Sequence, residues 1–302
     1  MCSSDLGYFQ QILGRSNFAA VRQQLLQKLK VVITKLEVKA QTFRSRLAES
    51  VDADVSRSKA DLLMAYLHLW QPGMKEITLA DFETGENVSI ALQPEKNCIQ
   101  NAQAFYKQFQ KLKRAQTIVV PLLAAVDAEL SYLAQVENSV GQIEVYQQLG
   151  DLDTLIEIKE ELILSGYIAA PTNRTKPLAV TLPHRFVSPS GFEVLIGRNN
   201  RQNDLLTFKT ATDYDLWFHA QEIAGSHGLL RLPAGEVAQA ADLQYTANLV
   251  AYHSRSRQSA AVPVVYTAPK HVYKPKGAQL GMVVYKHEQV IWGNPQLVTI
   301  KN

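Results

Sequence analysis

Two arginines and four side-chain amides crowd into the segment Gly197-Arg198-Asn199-Asn200-Arg201-Gln202-Asn203-Asp204. Amide and guanidinium groups donate hydrogen bonds that suit phosphate oxygens, 2′-hydroxyls and base edges. The segment falls at an expected strand–helix junction, where free backbone N–H groups and the helix dipole also favour an anion. Asn203 is the expected N-cap of a helix over residues 203–210. The plainer alternative is an Asn-rich loop that only caps and turns.

A second group comprises Asp215-Leu216-Trp217-Phe218-His219-Ala220 and Gly225-Ser226-His227-Gly228-Leu229-Leu230-Arg231. On a strand, Trp217 and His219 point to the same face. If exposed, they would form a stacking platform for bases or sugars. If buried, Trp217 would be a core indole with its N–H satisfied, beside a core His. Ser226 and His227 sit in a tight loop and, with Arg231, complete the candidates for RNA contact in this group. A third group, Lys270-His271-Val272-Tyr273-Lys274-Pro275-Lys276-Gly277, sets Lys270, Lys274 and Lys276 around a tyrosine. Lysines suit phosphate as point charges, and Tyr273 can stack. A solvated hairpin loop is the alternative.

Other chemistry finds little support. His219 and His227 could approach each other across strands, but no cysteine accompanies them and no HExxH spacing occurs, so no metal site is expected. Ser226, His227 and Asp215 lack a nucleophile elbow and do not make a triad by adjacency. No catalytic residue, no cofactor and no small-molecule substrate is expected.

The first long helix carries charge of its own. Residues 22–46 hold Arg22, Lys28, Lys30, Lys35, Lys39, Arg44 and Arg46 against Glu37 alone. A later helix adds Lys107, Lys111, Lys113 and Arg114. Such a basic surface can lie along RNA, and Lys28, Lys35, Lys39, Arg46, Lys111 and Arg114 are the candidate contacts. Residues 1–170 hold 17 Lys and Arg against 20 Asp and Glu, a net of −3; residues 171–302 hold 14 against 8, a net of +6. Six of the seven histidines lie in that second part.

The elements that position these groups divide the chain in two. Apolar residues at Phe18, Val21, Leu25, Leu29, Val32, Leu36, Phe43 and Leu47 predict a helix over 17–49, about 50 Å long. A second stripe, from Phe105 to Ile143, predicts a helix over 101–149, about 73 Å long, with Pro121 expected to kink it. Two such stripes bury each other best as an antiparallel coiled-coil hairpin. A short helix over 61–69 and a β-hairpin of strands 77–82 and 87–92 are expected between them, with one more helix over 152–164 ending at Gly166. The polar, proline-bounded stretch 169–177 is the expected domain boundary. Strands are then expected at 185–187, 192–196, 214–219, 229–232, 262–267, 282–285 and 290–292, with a helix over 237–252. The fold class is α+β: a coiled-coil hairpin with a small β insertion over 17–168, then a compact mixed-sheet domain over 178–302.

Hydrophobic content of 46% and charged content of 20% describe a globular chain. The apolar run 117–125 is shorter than the roughly 20 residues of a membrane span. Residues 1–6 lack the features of a secretory signal. Cys2 and Cys98 are too few for a disulfide framework. A cytoplasmic location and no membrane partner are expected.

Several motifs together resemble the NFACT family of RqcH/NEMF-type ribosome quality control proteins, once called fibronectin-binding proteins. They are Gly191-Phe192-Glu193, Gly197-Arg198-Asn199-Asn200, Gln202-Asn203-Asp204, Asp215-Leu216-Trp217-Phe218-His219, Gly225-Ser226-His227 and Lys274-Pro275-Lys276-Gly277-Ala278. These resemble the NFACT-R domain. Ala60-Asp61-Leu62-Leu63, Leu67-His68-Leu69, Asn101-Ala102-Gln103 and Phe105-Tyr106-Lys107 through Arg114 resemble the family's coiled-coil middle domain. The resemblance implies binding to the 50S subunit carrying peptidyl-tRNA, contact with rRNA and tRNA (alanyl-tRNA in particular), and support of C-terminal alanine tailing. It also implies that the family's NFACT-N domain and helix–hairpin–helix segment are missing here, so that this chain alone would not extend a peptide. Gly228 departs from the family's usual branched aliphatic. Residues 1–6 back-translate readily into a sequencing-adapter end, so residues 1–16 are expected to be a non-native or truncated start. Adhesion to a matrix protein and an enzyme acting on nucleic acid are the alternative functions.

Overall fold

The computed structural model describes residues 3–49, 52–170 and 181–298. The expected boundary segment 171–177 lies outside them, as do Met1 and Cys2. By compactness the chain divides into one unit of residues 35–128 and another of residues 1–34 with 129–302.

Two long helices thread both units. Helix α1 runs Ser3–Glu49, so it begins before the expected residue 17. Nothing in residues 3–16 is a proline, and only proline would stop a helix outright there. Phe18, Leu25, Leu29, Leu36 and Ala40 form its buried stripe. Helix α3, Cys98–Gln142, buries Val119, Val126, Leu133, Val136 and Val140 at matching steps. Pro121 lies inside α3, which continues through it as one helix. By length and hydropathy alone, α3 meets the requirement for a membrane-crossing helix. That corrects the expectation drawn from the shorter run 117–125, because the apolar window extends past Asp127. Asp127 is itself paired, with Arg44 at 2.7 Å.

In the unit of residues 35–128, helix α2 (Asp52–Ala65) and the hairpin of β1 (Glu76–Ala80) and β2 (Asn87–Ala91) join the start of α3. Ile77 and Leu79 alternate inward on β1, as a half-buried strand requires. They pack with Leu62, Leu63, Ile90, Leu92, Cys98 and Ala102. The Asp81 carboxylate accepts the Glu83 and Thr84 amides and fixes the turn. Those backbone donors hold its pKa below the usual carboxylate value.

In the other unit a six-stranded antiparallel sheet has the order β10-β7-β5-β6-β4-β3. Its strands are β3 (His184–Val187), β4 (Glu193–Ile196), β5 (Leu216–Ala220), β6 (Gly228–Leu230), β7 (Val262–Thr267) and β10 (Gln289–Gly293). A separate two-residue pair, β8 (Val272–Tyr273) with β9 (Val284–Tyr285), lies between β7 and β10 in sequence. Helix α6, Ala240–Tyr252, covers one sheet face, with Ala247, Val250 and Ala251 against Val194, Ile196, Phe218, Leu230 and Val264. Gly228 lies against Val250 of α6. A Cβ there would stand 2.6 Å from Val250 Cγ2, so the missing side chain lets α6 close on β6. The α+β architecture expected from the sequence, a long helical hairpin followed by a sheet domain, is the observed one.

A candidate nucleic-acid interface

Helix α4 runs Leu149–Leu164 and turns Leu155, Ile158 and Leu162 inward. Among these apolar residues it carries three buried acids, Asp151, Glu157 and Glu161. Three consecutive residues meet them. Arg198 Nη2 donates to Asp151 Oδ1 at 2.6 Å, Asn199 Nδ2 to Glu157 Oε2 at 2.7 Å, and Asn200 Nδ2 to Glu161 Oε1 at 3.1 Å. Thr181 adds its amide and hydroxyl to Glu157. Burial pushes the Glu161 carboxyl above the usual range, against the hydrogen bonds from Tyr132 and Asn200 that lower it.

The loop runs into helix α5, Asn200–Leu205. Asn199, rather than the expected Asn203, is its N-cap and accepts the Gln202 amide at 2.9 Å. Asn203 Oδ1 instead accepts the His227 amide at 3.0 Å. Gln202 is used at both ends: its Oε1 accepts the Arg198 amide and its Nε2 donates to Thr181. A five-residue π-helical turn over Leu206–Thr210 follows α5.

Behind the loop, Trp217 Nε1 donates to Thr207 Oγ1 at 3.0 Å, and His227 Nδ1 lies 2.7 Å from the same oxygen. The Thr207 hydroxyl also donates to the Asn203 carbonyl at 2.8 Å. Trp217 stacks on His219 with ring centroids 5.8 Å apart. Desolvation lowers the His219 pKa to about 4 and that of His227 well below its ordinary value, so both rings are neutral at neutral pH. They line a cavity of about 330 Å³ with Gln135, Glu222 and Tyr285.

The sequence expectation for these residues is therefore corrected. Arg198, Asn199, Asn200, Gln202, Asn203, Trp217, His219, Ser226 and His227 are all buried. Most of the donors expected to meet phosphate are instead taken up by carboxylates, carbonyls and hydroxyls of the chain itself, as buried polar groups usually are, while Arg198 Nε and His219 Nε2 have no hydrogen-bond partner. Trp217 and His219 share a face as expected, but that face is interior. Arg231 is one-third exposed and lies 3.0 Å from the buried Asp215 carboxylate.

Lys270, Lys274 and Lys276 are exposed, with Tyr273 exposed among them. Lys274 pairs with Asp204. On the long helices Lys28, Lys35, Lys39, Arg46, Lys111 and Arg114 are also exposed. Sequence reasoning missed Asp151, Glu157 and Glu161. The available signal was acids set among the apolar positions of a short helix, where a solvated face was the simpler assumption. Among the described residues no group of three or more His, Cys, Asp or Glu is placed to hold a metal ion.

Comparison with known proteins agrees with this layout. Residues 6–179 match the family described as NFACT N-terminal and middle domains, and residues 182–287 match the NFACT protein RNA binding domain. The chain is 32% identical over 299 residues to an Rqc2 homolog RqcH from Streptococcus suis, covering 98% of this chain and 52% of that protein. It is 28% identical to the Rqc2 homolog RqcH from Bacillus subtilis, covering 95% of this chain and 50% of that one. The chain thus spans about half the length of the curated relatives it matches. A solved structure, the C-terminal part of the fibronectin/fibrinogen-binding protein from Streptococcus suis, superposes with a TM-score of 0.70 at 29% identity, covering 92% of this chain and 95% of that one.

Proposed function

The chain belongs to the NFACT family, and on that premise we propose that it is the RNA-contacting portion of a ribosome-associated quality control factor. The observation that carries this is the distribution of unburied cations. Lys270, Lys274 and Lys276 surround an exposed Tyr273 in the region matching the RNA-binding domain. Lys28, Lys35, Lys39, Arg46, Lys111 and Arg114 stand exposed on the long helices. The first group suits a tRNA backbone with one stacked base. The second suits rRNA of the large subunit. The whole protein would bind a stalled 50S–peptidyl-tRNA complex in the cytoplasm, hold alanyl-tRNA and support C-terminal alanine tailing. No catalytic step is assigned to this chain. The domains are assigned as a coiled-coil middle domain over 17–168 and an RNA-binding domain over 178–302.

Co-sedimentation with purified 50S subunits tests this. Retention should fall linearly in log affinity against log salt, the mark of released counterions. Reversing the charge at Lys28, Lys35 and Lys39 should lower retention and flatten that slope. Failure to sediment with 50S subunits even at low salt overturns the proposal. Adhesion is the second reading, favoured by the structural match to a Streptococcus suis protein named for binding fibronectin and fibrinogen. Saturable binding of fibronectin at physiological salt, lost on charge reversal of the same helix, would establish it instead.

A further inference from the structure

The cavity of about 330 Å³ beside His219 and His227 is lined also by Gln135, Glu222, Ile223, Met282 and Tyr285. That volume lies at the lower end of small-ligand pockets, which run from roughly 300 to 1,000 Å³. Gln135, on α3, is 8% exposed. The Gly225 amide donates to its Oε1 at 2.8 Å. A backbone N–H can only donate, so the oxygen of this side-chain amide is fixed toward Gly225 and its NH2 group faces the other way. That Nε2 makes no hydrogen bond and, unlike Arg198 Nε or His219 Nε2, keeps accessible surface. It opens onto the cavity that Gln135 lines.

Two further polar groups of the wall are free. Glu222 is exposed and takes no hydrogen bond or ion pair among the described residues. Its backbone sits at φ 55, a left-handed conformation that costs a non-glycine residue energy. The Tyr285 hydroxyl likewise has no hydrogen-bond partner among the described residues. Burial first, then the Glu288 and Glu222 carboxylates, raise its pKa, so it stays a donor with the Glu222 charge nearby.

We propose that this cavity takes a single unpaired guanine base. The Watson–Crick edge of guanine sets two adjacent donors, N1–H and the 2-amino group, beside the O6 acceptor. A carboxylate accepts both donors at once, and a side-chain amide donates to the oxygen. Glu222 and Gln135 supply that combination. Adenine and cytosine offer the carboxylate one amino group and uracil one ring N–H, so guanine gains the extra charge-assisted bond. Ile223, Met282 and the Tyr285 ring suit the flat faces of a base. The guanine can belong to an RNA chain or to a free nucleotide. With RNA as its source, the inference rests on the RNA-contacting reading above and names the base that is read.

The test is titration of the whole chain with GMP, with AMP, and with two single-stranded oligouridylates, one of them carrying a central guanosine. The side-chain NH2 resonances of Gln135 are followed by NMR. A saturable shift is expected with a guanine ligand, and about tenfold weaker binding with its guanine-free counterpart. Glu222→Gln, at an exposed position that tolerates the change, should weaken guanine binding about tenfold by removing the charged acceptor. Tyr285→Phe should weaken it less, and Lys276→Ala should leave GMP binding unchanged. Saturation by GMP shows that the base suffices; saturation by the guanosine-bearing oligonucleotide alone assigns the site to the RNA chain. No saturable Gln135 shift with either guanine ligand, equal binding of GMP and AMP, or binding indifferent to Glu222→Gln overturns the proposal. Salt-dependent sedimentation with 50S subunits in a chain that shows no Gln135 shift would remove the base site and leave the lysine surface standing. GMP saturation in a chain that fails to sediment would do the reverse.

Discussion

Arg198 Nη2 stands 2.6 Å from Asp151 Oδ1, with both side chains less than a tenth exposed. A loop read from sequence as an RNA contact is in this way bound to a helix of the same chain. Removing either partner alone strands a buried charge. Arg198→Met or Asp151→Leu should each cost about 3–5 kcal/mol, and the double variant clearly less than their sum. Urea unfolding of the two single variants and the double variant measures this. Equal, additive losses would show that the pair is not coupled.

Glu161 is held protonated more readily in the fold than in the unfolded chain, chiefly by desolvation. The native state then binds the extra proton, so this group's contribution falls as pH rises above the unfolded value of 4.5. Glu161→Gln keeps an oxygen for Tyr132 and Asn200. It should match the parent protein near pH 4 and become the more stable of the two toward pH 8. A constant difference across that range would contradict the assignment.

The histidines act in the opposite sense. Burial lowers the pKa of His219 and His184 from 6.5 to about 4 and that of His253 to about 3. Here the unfolded state binds the extra proton. Stability from keeping the rings neutral is complete above pH 6.5 and is lost as pH falls toward 4 and 3. His219→Phe should reduce the loss between pH 7 and pH 4 by up to about 3 kcal/mol. Thermal unfolding followed across that range reads it directly.

Gly228 faces Val250 with no room for a Cβ. Gly228→Val should therefore destabilise by about 1–3 kcal/mol through overpacking. Adding Val250→Ala should recover part of it. A neutral Gly228→Val would mean that α6 shifts outward at little cost.

On the exposed side, replacing both Lys270 and Lys276 by alanine should weaken tRNA binding and reduce the salt slope by about 1 for each lysine. Fluorescence anisotropy with labelled tRNA at several salt concentrations checks it. An unchanged slope would remove this loop from the interface.

Most elements of this fold are legible in residue order, though α2 starts at Asp52 rather than at the expected residue 61, and α3 ends at Gln142 rather than at residue 149. Heptad-like spacing from Phe18 to Leu47 and from Phe105 to Ile143 dictates two long helices, since only that period buries one stripe along such a length. Strand-forming residues over 77–82 and 87–92, with a turn around Glu83-Thr84-Gly85-Glu86 between them, dictate the small hairpin. The motifs from Gly191 to His227 and from Lys274 to Ala278 carry the family. Where those motifs point was settled by long-range packing. A strand places Trp217 and His219 on one face whatever the fold, but the packing around that face makes it interior. The inward turn of Asn203, which leaves the cap to Asn199, depends on His227, 24 residues later in the chain. The carboxylates that take Arg198, Asn199 and Asn200 lie 39 to 47 residues earlier. Local spacing carries no record of a partner so distant, because hydrogen-bond donors look alike in sequence whether they meet a phosphate or a buried carboxylate.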